Sequence, residues 1–153
     1  VMLAYRLRID GSNTSMPGVV ADFVETLAGE AGLTTHQTYW LRLAADEITT
    51  NIAHHGYRGC GGVVDIAGEI EPDRLRVWIE DDAPPFDPTL YDPAPRLAVP
   101  PCQREEGGYG LLLALKKVDE FSYEFVGGRN RNILVMRLLG RDGEAGAECP
   151  RDS

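Results

Sequence analysis

Basic charge is scarce in this chain, and so are cysteine, histidine and long apolar runs. The 153 residues carry 15 Lys and Arg against 24 Asp and Glu, a net charge of -9. That balance argues against a general nucleic-acid or anionic-membrane surface, which needs a basic field. It leaves room for a bound nucleotide, because local backbone N–H groups and a metal ion hold phosphates inside acidic proteins. Cys60, Cys102 and Cys149 are odd in number and far apart. They form neither a C-x-x-C zinc pair nor a disulfide framework, and a reducing cytoplasm is the simplest home. The adjacent His54 and His55 point to different sides of a helix, so no zinc site is expected from them and His36. No apolar run approaches the roughly 18 residues of a membrane span, and no charged-then-apolar leader appears. No internal repeat is visible.

The familiar phosphate-binding signatures are missing as well. There is no G-x-x-x-x-G-K-[ST], and Gly108-Tyr109-Gly110 lacks the third glycine of a dinucleotide fingerprint because Leu113 stands there. The H-R-D and D-F-G signatures of eukaryotic-type kinases are also absent.

What is present is an ordinary globular composition, 43% apolar and 25% charged, in a length suited to one domain. Alternation predicts a first strand over Ala4 to Ile9, ended by the turn Asp10-Gly11-Ser12-Asn13. Pro17 suits the first turn of a helix through about Ala31, with Val20, Phe23, Val24 and Leu27 on one face and Gly32 closing it. Thr34 or Thr35 caps a second helix, where Trp40, Leu41, Ala44, Ala45, Ile48 and Ile52 form a broad buried stripe. Gly56 is its expected left-handed terminator. Trp40 and Trp78 are both expected in the core.

Val63 to Ile70 and Leu75 to Ile79 read as a hairpin around Glu71-Pro72-Asp73-Arg74. From Asp81 to Gly110 seven prolines leave little room for a regular element, and a loop this long is usually functional. A short helix follows over Leu111 to Val118. Two strands, Phe121 to Val126 and Ile133 to Leu139, flank Gly127-Gly128-Arg129-Asn130. The order β-α-α-β-β-loop-α-β-β points to an α+β sandwich with a mixed, mainly antiparallel sheet and its helices on one face. The polar segment 140–153 is expected to be a flexible tail.

Three stretches carry candidate chemistry. Glu47 and Asn51 sit four positions apart on the second helix, stacked one turn from each other among apolar neighbours. They are either an exposed polar stripe or a functional pair, since neither belongs in a core without a partner. With Mg-ATP, the Asn51 carbonyl suits a hard metal ion and Glu47 suits a general base. Asp81, ending a strand, is either a solvated cap or the acceptor for an adenine amine, with Ile79 and Phe86 near enough to line the slot. Gly107, Gly108 and Gly110 before a helix are either an unusual loop or backbone donors for phosphate, helped by the helix N-terminus. Arg104 reaches a terminal phosphate or is a solvated loop residue.

Together these stretches resemble the GHKL ATPase/kinase superfamily, whose nucleotide-binding unit is the HATPase_c-like domain. Asp46-Glu47-Ile48-Thr49-Thr50-Asn51 followed by His55-Gly56-Tyr57 looks like the N-box of the bacterial anti-sigma factor serine kinases of the RsbW and SpoIIAB type. Asp81-Asp82-Ala83-Pro84-Pro85-Phe86-Asp87-Pro88 is similar to their G1 box, and Gly107-Gly108-Tyr109-Gly110-Leu111 to their G2 box. The resemblance runs from about Tyr5 to Leu139. It implies a Bergerat ATP-binding fold over residues 1–139 with a mobile lid at about 90–106. In that reading Asn51 holds Mg²⁺, Glu47 is the base, Asp81 meets the adenine amine, and the G2 glycines clasp the phosphates, with Tyr109 and Leu111 beside them. It further implies a serine on a STAS-domain anti-sigma antagonist as substrate, a sequestered sigma factor as second partner, and frequent dimerisation. A non-catalytic nucleotide-binding module and a simple ATPase are the alternatives. One departure favours the non-catalytic module: Ala83 stands where the G1 box has glycine. If that position required a positive φ or a close approach, the methyl would cost about 1–2 kcal/mol.

Overall fold

A computed structural model describes residues 3–90 and 109–139. The expected lid, Arg104, Gly107, Gly108 and the segment 140–153 lie outside the described residues, apart from Leu90. Among the described residues no helix is long and apolar enough to cross a membrane.

Alternation of buried and open positions makes the strands. β1 (Leu3–Asp10), β2 (Val63–Ile70), β3 (Arg74–Asp81), β4 (Glu120–Val126) and β5 (Arg129–Arg137) form one sheet in the order β1-β2-β3-β5-β4. Every pairing is antiparallel, so the mixed sheet expected from sequence is antiparallel throughout. The hairpin joining β4 to β5 turns on Gly127 (φ 62°) and Gly128 (φ 77°). A two-residue turn of that hand matches the twist of the flanking strands and needs residues free of the Cβ penalty.

Among the described residues three helices cover one face: α1 (Met16–Ala31), α2 (Thr35–Asn51) and α3 (Tyr109–Lys117). α1 ends where Gly32 adopts the left-handed conformation (φ 81°). α2 begins with a reciprocal cap: Thr34 Oγ1 accepts from the Gln37 N–H at 3.0 Å, and Gln37 Oε1 accepts from the Thr34 N–H at 3.0 Å. The same Gln37 donates through Nε2 to the Arg137 carbonyl at 2.8 Å, tying the start of α2 to the end of β5. Leu27, Leu41, Ile48, Ile66, Leu75, Ile79, Leu111 and Leu134 are wholly buried between the layers. Each such side chain stabilises the fold by about 1.5–3 kcal/mol relative to exposure.

Two expectations are corrected. The left-handed residues after α2 are Arg58 (φ 54°) and Gly59 (φ 79°), not Gly56, because the helix first widens into a π turn over Ile52–Gly56. The Tyr57 N–H donates to the Ile52 carbonyl, five residues back, at 2.8 Å. Trp78 is not core. On β3 the buried positions are Leu75, Val77, Ile79 and Asp81, so Arg74, Arg76, Trp78 and Glu80 fall on the opposite face. There the Arg76 guanidinium stacks 5.6 Å from the centre of the Trp78 ring. Trp40 is partly buried and packs against the core.

Candidate functional site

Where α2 gives way to its π turn, a narrow cleft opens between that helix and the C-terminal end of β3. Asn51, Asp81, Ala83, Phe86, Asn130 and Asn132 supply most of its character, with Ile48, Ile52 and two prolines as apolar wall. A mostly apolar cleft with a few convergent polar groups is the usual form of a small-molecule site.

Asp81 is the centre of the polar network. It is 1% exposed, the last residue of β3, and faces inward because strand alternation puts it on the core side. Its Oδ1 accepts from the Ala83 N–H at 2.9 Å and from Asn130 Nδ2 at 2.9 Å. Oδ2 accepts nothing among the described residues and is left open to the cleft. Burial pushes the carboxyl above its usual range, and the bonds from Asn130 and Ala83 offset only part of that.

Asn130 is what holds this corner together. Buried to 2% exposure, it sits opposite Asp81 in the β3–β5 register. Besides Asp81, its Nδ2 reaches the Ala83 carbonyl at 3.0 Å and the Pro84 carbonyl at 3.1 Å. Its Oδ1 accepts from the Phe86 N–H at 3.0 Å and from the Tyr123 hydroxyl. One carboxamide thus fixes the turn that follows Asp81.

Two residues further along β5, Asn132 is equally buried, yet its Oδ1 has no hydrogen-bond partner among the described residues. A buried acceptor left unpaired costs about 1–3 kcal/mol, and this one lies in the cleft wall. Neither asparagine was singled out from sequence as a site residue. The available signal was an inward-facing Asn-x-Asn on a strand whose next inward residues are Leu134 and Met136.

On the helical side, Asn51 lines the cleft, and its carboxamide makes no hydrogen bond among the described residues. Thr49 is fully buried and donates to the Ala45 carbonyl at 2.9 Å, a back-bond of the sort that bends helices. Glu47, one turn before Asn51, is half-buried and abuts the start of α3: a Cβ built on Gly110 would run into its carboxylate. The structure therefore brings Glu47 and Gly110 together, and Asn51, Asp81, Ala83 and Phe86 together. Tyr109 opens α3. Leu111, also expected among the cofactor-binding residues, has its side chain buried in the core, at an inward position of a helix packed on α2. Ile79 likewise belongs to the core rather than to the slot.

Tyr57 bolts the two sides to each other. Its hydroxyl donates to the Val63 carbonyl at 2.6 Å and accepts from the Asp82 N–H at 2.9 Å. Burial pushes this phenol up, which keeps the proton on the oxygen that donates.

Ala83 carries no backbone strain, since Arg58 alone among the described non-glycine residues has a positive φ. Its methyl is 5% exposed and lies against the π turn: a Cβ on Gly56 would come within 2.8 Å of it. The glycine missing from the G1 stretch is thus matched by one across the cleft.

A sequence model of the histidine kinase-like ATPase domain matches residues 12–138, most of the chain. The chain belongs to that family. No match appears among curated proteins. Among solved structures, the RsbU and RsbW domains of Rv1364c from Mycobacterium tuberculosis resemble it with a TM-score of 0.54 at 20% identity, over 88% of this chain. At that identity the likeness shows the fold, and it spans only 32% of the longer Rv1364c chain. In the cleft between α2 and β3, Asp81 Oδ2, Asn132 Oδ1 and the Asn51 carboxamide have no hydrogen-bond partner among the described residues.

Proposed function

We propose that the chain binds ATP with Mg²⁺ in this cleft, transfers the terminal phosphoryl group to a serine of a STAS-domain anti-sigma antagonist, and sequesters a sigma factor in the cytoplasm. The observation that carries the nucleotide part is a pair of cleft-lining acceptors without donors among the described residues: Asp81 Oδ2 and the buried Asn132 Oδ1. An adenine exocyclic amine supplies donors and a flat apolar body that suits the remaining walls.

The residues then divide the work. Asp81 accepts from the amine, Asn130 holds Asp81 and the turn after it, and Phe86 closes the apolar slot. Asn51 offers a carbonyl oxygen to the metal ion, which neutralises phosphate charge when bound. Gly110 and the first turn of α3 favour the phosphates through the helix N-terminus. Glu47 takes the serine hydroxyl proton as that oxygen bonds to the terminal phosphorus and the bond to the leaving ADP oxygen breaks. The nearness of the Glu47 carboxylate to Gly110, in the first turn of α3, supports this reading. One reason for preferring a non-catalytic module was a positive φ at Ala83, and the backbone there has none.

Incubation with labelled ATP, Mg²⁺ and a STAS-domain protein tests the proposal, with Glu47→Ala alongside. Transfer is expected for the natural chain and lost in the variant while nucleotide binding survives. Transfer undiminished by the substitution removes Glu47 from the mechanism.

A further inference from the structure

Tyr57 stands where the two walls of the cleft meet. Asn51 closes α2, and Tyr57 follows the π turn after it, its own N–H on the Ile52 carbonyl at 2.8 Å. The ring lies against main chain: a Cβ built on Gly62 would run into it, and one on Gly11 would come within 3.2 Å of it. Two residues without side chains thus form its seat. From there the hydroxyl reaches Val63 and Asp82, which stand one step beyond the last β2–β3 pair, Val64 with Asp81. It donates to the Val63 carbonyl at 2.6 Å and accepts from the Asp82 N–H at 2.9 Å. The phenol therefore bridges the two strands where β3 ends, and ties the residue after Asp81 to the chain that leaves Asn51. Asn51 on the helix wall and Asp81 on the strand wall line the same cleft.

We infer that Tyr57 is a positioning residue, whose hydroxyl holds Asn51 and Asp81 at the separation that one Mg²⁺-bound nucleotide must span. This rests on the reading of the cleft as an ATP site. Contacts at the two ends of a ligand reinforce each other only when both sets of partners are fixed beforehand, since otherwise binding must supply the order. Removing the hydroxyl leaves the ring in its seat but releases the Asp82 N–H, and with it the strand wall. The metal ion's contribution to binding then falls, while contacts to the base alone change little.

Titrations with ATP in Mg²⁺ and with ATP in EDTA read this as one ratio, the gain in affinity that the metal ion gives. Tyr57→Phe should cut that gain by about tenfold, the scale of a buried hydrogen bond lost, with ATP in EDTA bound within about threefold of wild type. A residue that only stabilised the fold would lower Tm and leave the ratio alone. Gly11→Ala keeps every hydrogen-bonding group and nudges the ring in its seat, so it should lower the same gain by about threefold, and it decides if Tyr57→Phe does not fold. An unchanged ratio in the deciding variant overturns the inference, while its ATP binding leaves the nucleotide site standing. A wild type whose ATP affinity ignores Mg²⁺ overturns it as well. If the wild type binds no ATP, the reading of the cleft fails and this inference falls with it.

Discussion

Replacing Asn130 by alanine should cost the fold far more than an exchange at a turn-flanking residue normally does. Its carboxamide faces five groups: Asp81 Oδ1, the carbonyls of Ala83 and Pro84, the Phe86 N–H and the Tyr123 hydroxyl. The amide nitrogen has two protons for three acceptors, so the loss is smaller than the count suggests. Asp81 Oδ1 keeps the Ala83 N–H, and the Phe86 N–H keeps the Tyr123 hydroxyl at 3.2 Å. What remains is two or three partly or wholly buried groups stripped of partners, at about 1–3 kcal/mol for the worst placed. A net loss of about 2–4 kcal/mol follows, or a fall in Tm of roughly 5–15 °C at this chain length. Urea or thermal unfolding followed by circular dichroism reads it directly. A loss below about 0.5 kcal/mol, the size of an ordinary surface exchange, would refute the network's importance. Asn130→Asp sharpens the test. It sets a second carboxylate against Asp81, so one of the two must stay protonated. Its deficit should grow as pH rises through the carboxylate range, and the swap Asp81→Asn/Asn130→Asp should recover much of it.

Three further outcomes follow from the same geometry. Burial holds the Asp81 carboxyl above its unfolded value, so its stabilising share is full below that unfolded value and is lost as pH rises through the raised folded one. Asp81→Asn should therefore match or exceed wild-type stability at neutral pH while ATP affinity falls about tenfold or more, read by thermal melts across pH and by titration; a lower Tm at neutral pH contradicts it. Gly56→Ala drives a Cβ to within 2.8 Å of the Ala83 methyl and should cost about 1–3 kcal/mol, most of it regained in the double variant with Ala83→Gly; a double-mutant cycle of unfolding energies decides. Gly110→Ala displaces the Glu47 carboxylate and should slow phosphate transfer by about a hundredfold, with ATP affinity changed much less, in single-turnover measurements.

Much of this arrangement was legible in the sequence because it is periodic. The alternation in β2 and β3 marked a half-covered hairpin, and the spacing of Glu47 and Asn51 put them one turn apart on a helix with an apolar stripe. The elements missed depend on contacts between distant residues. Asn130 lies 49 positions from Asp81, and only the β3–β5 register makes them neighbours. Its place after two glycines made it read as turn chemistry. The same alternation that puts Trp78 on the sheet's outer face was overridden by the general tendency of tryptophan to be buried. The π turn at Ile52–Gly56 leaves no local mark, since it differs from an α-helix only in which carbonyl the Tyr57 N–H reaches.

A crystal grown with a non-hydrolysable ATP analogue and Mg²⁺ puts the central claim to its most direct test. The account predicts the base amine on Asp81 Oδ2, a metal ion on the Asn51 carbonyl oxygen, and phosphates at the start of α3. An empty cleft in a nucleotide-saturated crystal, or a base docked away from Asp81, would contradict it.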